Sequence, residues 1–225
     1  MHNPAVQRRP SPRETTTNWF RIYMPRPGAR LRIICMPHAG GCASFFRQWA
    51  RSMPDDIELV AVQYPGREER LNDVLIDDMP TLVKTLTLAL KKSGLLDKPY
   101  LLFGHSMGGY VAYETTRAIL AAQLPSPCHL VLSAWEAPTR KLPGKLYLAP
   151  DQALLDDMNR LAGTRIDFSR HPELCDLVLP IVRNDYKLVE CWQPEAGTPA
   201  LDIPVSVFAG LQDTERTVQQ AGDWR

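Results

Sequence analysis

The chain has 225 residues, 44% of them hydrophobic and 23% charged, and a formal net charge of +1. That is enough chain for one well-buried core, and too little charge to favour nucleic acid or an anionic membrane as a partner. Five scattered cysteines (35, 42, 128, 175 and 191) form no CxxC pair, so no disulfide framework or metal site is expected, only free thiols.

Residues 1–18 carry more proline and charge than apolar side chains, which predicts a flexible arm before a single domain over 19–225. The start of the chain lacks the apolar stretch of a secretory signal, and no apolar run approaches the ~20 residues of a membrane span. A cytoplasmic protein is expected.

Leu31–Met36 reads as a buried strand that breaks into Pro37-His38-Ala39-Gly40-Gly41. Such a small-residue loop lets backbone N–H groups approach a ligand. A helix over about Ser44–Ser52 follows, then a strand, Ile57–Val62, ending at Tyr64-Pro65-Gly66-Arg67-Glu68. Leu82, Leu86 and Leu90 share one face of a further helix that stops near Gly94.

The apolar run Tyr100–Phe103 leads into Gly104-His105-Ser106-Met107-Gly108, and a helical pattern continues to about Gln123. Strand, glycine-bounded turn and helix are the context in which G-x-S-x-G becomes a nucleophile elbow, with Ser106 exposed at the top of a sheet. By the same pattern the oxyanion-hole donors are the backbone N–H groups of Ala39 and Met107. His129–Leu132 is the next strand, and the alternation predicts an α/β fold of the α/β-hydrolase type, with a mostly parallel, doubly wound sheet.

Alternation fails over about 136–192, where helical patterns carry Leu154, Met158 and Leu161, then Leu177, Ile181, Leu188 and Trp192. Helices inserted between two strands of such a sheet are expected to form a lid over the site. Ile203–Phe208 returns to strand and ends in Gly210-Leu211-Gln212-Asp213. Asp213 is the first candidate for a catalytic acid, since ligand-side residues gather past strand ends; Glu136 is the second.

From about Phe20 onward the chain resembles the type II thioesterases of polyketide synthase and nonribosomal peptide synthetase clusters. The resemblance rests on Met36–Gly41, Tyr64–Glu68, Gly104–Gly109 and Asn184-Asp185-Tyr186-Lys187-Leu188-Val189-Glu190, four motifs in one order. It implies hydrolysis of acyl groups from the phosphopantetheine thiol of an acyl or peptidyl carrier protein, an editing task in antibiotic biosynthesis. It further implies Ser106 as nucleophile, Asp213 as the acid behind a histidine, a monomer, and no cofactor beyond the phosphopantetheine that the substrate brings.

One element of that pattern is not found. The triad order is Ser, acid, His, yet the histidines stand at 2, 38, 105, 129 and 171, all before Asp213. The last strand and helix of the fold, which would carry the catalytic His, are therefore expected to be absent from this stretch of chain. Three readings stay open: the 225 residues belong to a longer chain; the protein binds carriers without hydrolysing; or a local histidine, His38 or His105, substitutes. A general small-ester esterase is a further alternative, because an elbow alone does not separate esters from thioesters. Arg67, Arg140 and Lys141 are candidate contacts for an acidic carrier surface.

Overall fold

A computed structural model describes residues 18–141, 143–162, 172–195, 197, 199–213 and 217–224. Of the arm expected at 1–18, residues 1–17 lie outside the described residues, as does His171.

Among the described residues, six strands form one sheet: β1 (Phe20–Arg21), β2 (Leu31–Met36), β3 (Ile57–Val62), β4 (Tyr100–His105), β5 (His129–Ser133) and β6 (Val205–Phe208). Their spatial order is β1-β3-β2-β4-β5-β6; only the β1–β3 pair is antiparallel. The helices are α1 (Arg47–Ser52), α2 (Met79–Ser93), α3 (Met107–Ala121), α4 (Asp151–Ala162), α5 (Pro172–Cys191) and α6 (Val218–Gly222). The helix expected over Ser44–Ser52 begins as a 3₁₀ turn, Ala43–Phe46, before α1.

The strands read as continuous apolar runs because both sheet faces are covered. Ile34, Met36, Val60, Val62 and Leu102 face one core with Leu82, Leu86 and Leu90 of α2 and Val111 and Ile119 of α3. Cys35, Leu59, Ala61 and Phe103 face the other, filled by Ala43, Phe46 and Ala50. Alternate residues thus supply alternate layers, as the two-residue period of a strand demands. α2 starts at Asp78, whose carboxylate accepts the Thr81 N–H at 2.8 Å, and ends at Gly94, which takes the left-handed φ of 72°. That fits an N-cap and a C-cap that only glycine adopts at no steric cost.

All five parallel strands run the same way, so the segments after β2, β3, β4, β5 and β6 converge on one edge. Among the described residues, the insertion between β5 and β6 holds α4, α5 and two short 3₁₀ turns. α5 carries Pro180 inside it, and its Ile181, Val182 and Leu188, with Trp192 just past its end, are buried. Among the described residues, no helix is long and apolar enough to cross a membrane.

Candidate active site

The chain reverses at Ser106, between the last residue of β4 and the first of α3, with φ 51° and ψ −118°. A non-glycine residue there costs about 1–3 kcal/mol and must be held in place by its surroundings. The surroundings do so. The Ser106 N–H donates to Ser133 O at 2.9 Å, and its carbonyl accepts the Gly109 N–H at 2.8 Å.

The motif's glycines are explained by what lies against them. A Cβ on Gly104 would drive into the Gly108 carbonyl and stand 2.6 Å from the Gly109 nitrogen. One on Gly108 would strike the Met36 carbonyl and come within 2.8 Å of Pro37 O, while one on Gly109 would lie 3.2 Å from the Trp135 side chain. The elbow helix is packed backbone to backbone on the sheet, and Ser106 is left half-buried at its N-terminus. Met107, the first helical residue, has an N–H with no acceptor in its own helix, at the positive end of the helix dipole.

The loop after β2 is pinned from two other motifs. Gly40, at φ 72°, donates its N–H to Asp185 Oδ2 at 2.8 Å. Asp185, on α5, is fully buried and takes a two-pronged grip from Arg67: Nη1 to Oδ2 at 2.7 Å, Nη2 to Oδ1 at 2.9 Å. Arg67 Nη1 also donates to Gly41 O at 3.2 Å, and the guanidinium lies over the Tyr64 ring. Gln63 links the same region, accepting the Ala43 N–H at 2.9 Å and donating to Arg67 O at 3.0 Å.

Arg67 is therefore no surface contact for a carrier: it is 3% exposed. Burial alone would depress its ionisation, but the Asp185 carboxylate outweighs that and holds the guanidinium above its ordinary value. The other two cations named from sequence are engaged as well. Arg140 pairs with Asp223 at 3.0 Å, and Lys141 stands 5.5 Å from the centre of the Tyr110 ring.

The remaining residues of the fourth motif fasten the inserted helices to their surroundings. Asn184 donates to Ile76 O at 2.9 Å, the Tyr186 hydroxyl donates to Asp157 of α4 at 2.6 Å, and Glu190 accepts the N–H groups of Leu146 and Tyr147 at 3.0 and 2.8 Å. Lys187 pairs with Asp77.

Two histidines stand at the same edge. His38 and His105 have ring centres 5.9 Å apart, and Phe45 packs against both, edge-on to His38 and parallel to His105. Burial lowers the pKa of His38, with His105 and Arg67 lowering it further and Asp185 opposing. Burial also lowers His105, against the Asp213 carboxylate, whose charge acts on that ring. Both imidazoles are thus kept neutral near pH 7. His105 Nδ1 is 3.1 Å from Ser133 Oγ; His38 Nδ1 is buried with no hydrogen-bond partner among the described residues. His129 Nε2 meets Ser206 Oγ at 2.8 Å and ties β5 to β6.

The structure brings Ala39, Ser106, Met107 and Asp213 to one edge of the sheet. Asp213 follows β6 in a turn closed by its N–H to Gly210 O at 3.1 Å. Glu136, the second candidate acid, is 6% exposed and accepts the Tyr110 hydroxyl of α3 at 2.9 Å. Sequence reasoning missed Phe45, and it placed Asp185 in the fourth motif without giving it a role; the signal for that role was an acid on the apolar face of an amphipathic helix. Among the described residues, no cluster of His, Cys, Asp or Glu is arranged to hold a metal ion. The cysteines are free, with Cys42 pushed up to about 11, chiefly by burial.

The model of the thioesterase domain matches residues 31–225. Thioesterase PikA5 of Streptomyces venezuelae is 33% identical over 212 residues, covering 92% of this chain and 73% of its own. The gramicidin S biosynthesis protein GrsT of Aneurinibacillus migulanus is 30% identical over 208 residues, covering 92% and 80%. Among solved structures, the type II thioesterase BorB from the borrelidin biosynthetic cluster superposes with a TM-score of 0.81 at 34% identity, over 92% of this chain and 83% of that one.

Proposed function

The chain belongs to the thioesterase family, in its type II branch, and from that premise we propose that it removes acyl groups from the phosphopantetheine thiol of carrier proteins by acyl transfer to Ser106. The single observation that carries the reading is the elbow itself: a serine held at φ 51° at the N-terminus of a helix whose glycines are excluded from any larger side chain.

Ser106 Oγ attacks the thioester carbonyl, and the oxyanion is received by the N–H groups of Ala39 and Met107. The C–S bond breaks, the carrier thiolate leaves, and water then resolves the acyl-serine. A thiolate is a good leaving group, so acylation makes small demands on a general acid; deacylation needs a base. Asp213 is assigned the orientation of the histidine that serves as base. No histidine follows Asp213 within these residues. The protein itself needs no cofactor, since the pantetheine arm arrives on the partner. The free thiols fit a cytoplasmic setting.

The test is intact mass before and after incubation with acetyl-loaded carrier protein. Wild type is expected to gain one acetyl group or to deacylate the carrier, and Ser106→Ala to do neither while remaining folded. Acetyl transfer by Ser106→Ala at the wild-type rate would exclude Ser106 as nucleophile. A second reading, carrier binding without hydrolysis, is separated by the same experiment. That reading expects a stable complex with the carrier, no mass shift and no deacylation.

A further inference from the structure

Helix α5 of the insertion is fastened to the loop assigned to the oxyanion. Two residues of α5, three apart and so on one face of the helix, meet the same residue of the loop after β2. Asp185 accepts the Gly40 N–H at 2.8 Å, and Val182 Cγ2 lies 3.0 Å from where a Gly40 Cβ would stand. No other residue type than glycine combines that contact with φ 72° at low cost. The partners are 145 positions apart in sequence, so this bond exists only when α5 is docked.

The consequence follows from how few torsions the loop has. A peptide unit is planar, leaving two soft dihedrals per residue. Gly40 N–H belongs to the plane that follows Ala39, so holding it restrains that plane and limits the torsions left to Ala39. Arg67, itself held by Asp185, fixes the Gly41 carbonyl, in the plane two residues further on. The turn is closed by the Gly41 N–H to His38 O at 2.9 Å. Ala39, whose N–H is assigned to the oxyanion, sits inside these restraints. Tyr64, Arg67, Met107 and Asp185 together line one small pocket.

We propose that Asp185 is a positioning residue for the oxyanion hole: docking of the lid helix through Asp185 and Val182 sets the backbone at Ala39, so that lid position and transition-state stabilisation are one equilibrium. A substrate that holds α5 down completes the hole, and release of α5 dismantles it. The inference rests on the acyl-transfer reading above for the role of Ala39, and on geometry alone for the coupling.

Removing Asp185 by itself strands a buried guanidinium, which threatens the fold. The informative pair is therefore Arg67→Met/Asp185→Asn against Arg67→Met/Asp185→Ala. Both lose the ion pair; only the asparagine keeps a carbonyl oxygen for Gly40. Single-turnover acylation by acetyl-loaded carrier, followed by intact mass, is expected to be at least ~10-fold slower in the alanine variant. The carrier concentration at half-saturation is expected to match between the two, because a transition-state interaction lowers rate and not ground-state binding. Equal acylation rates in two folded variants would overturn the proposal. Hydrogen exchange on the wild type supplies a reading independent of turnover and of variant folding. The Gly40 amide is expected to exchange together with the amides of α5. Rapid exchange at Gly40 while α5 stays protected would also overturn it. If wild type neither takes an acetyl group nor deacylates the carrier, the acyl-transfer reading fails, and the exchange experiment still decides the coupling.

Discussion

Gly108 shows how a single hydrogen in place of a methyl group sets the geometry of the elbow. A Cβ there would meet the Met36 carbonyl and Pro37 O, both backbone, so no side chain can rotate away to make room. Gly108→Ala is expected to cost about 3 kcal/mol of stability and to lower the acylation rate of the molecules that remain folded. Gly28→Ala is the control, because nothing lies within 4 Å of a Cβ at Gly28. Urea midpoints of the two variants read the difference; equal midpoints would refute it. The paired histidines make a second expectation at this scale. Burial lowers both His38 and His105 from the ordinary 6.5, so the unfolded chain takes up these protons at higher pH than the folded one. Stability from the neutral rings is whole above about pH 6.5 and is lost as pH falls below it. Urea midpoints are expected to fall between pH 7.5 and 5.5, and to fall less in His105→Gln. An equal fall in that variant would show that His105 contributes nothing to the pH dependence.

At the scale of elements, local rules carry most of the result. α2 is a case where the signals agree: Asp78 at the N-cap, Pro80 in the first turn, leucines on one face and Gly94 at the end. Asp78→Ala is expected to cost about 1 kcal/mol, because the Thr81 N–H loses its acceptor, and to leave acyl transfer unchanged. Thermal unfolding of the variant checks this; an unshifted midpoint would mean that solvent satisfies the N–H equally well. The elbow was legible for the same reason, since strand, turn and helix lie within about twenty residues and glycine reports a steric need that sequence displays. The pinning of the oxyanion loop was not. Arg67 reads as a surface cation because its residue type is rarely buried, and nothing in its neighbourhood announces a carboxylate 118 positions later. Glu136 is a similar case, with its partner Tyr110 on the far side of β5 in sequence. Long-range polar pairs leave no periodicity, whereas strands, helices and caps do.

The whole molecule is a sheet whose two edges differ. At one, β1 runs antiparallel to β3 and is only two residues long, a short edge of the kind that resists pairing with other chains. At the other, β6 pairs among the described residues with β5 alone. Val205 and Val207 pack on the core, while Phe208 is 61% exposed and Leu211, just past the strand, 93%. A four-residue parallel strand with an open ladder and an exposed phenylalanine is a template for another chain. The net charge of +1 gives little repulsion to oppose that. A polypeptide of these 225 residues is therefore expected to be monomeric when dilute and to associate as concentration rises. Phe208→Lys places a charge on the edge without touching its backbone bond to Ala134, and is expected to suppress the association. Sedimentation velocity over a tenfold or wider range of concentration decides it. A wild-type chain that stays monomeric throughout would mean that the β6 edge is already covered. Association that survives Phe208→Lys would move the contact to another face.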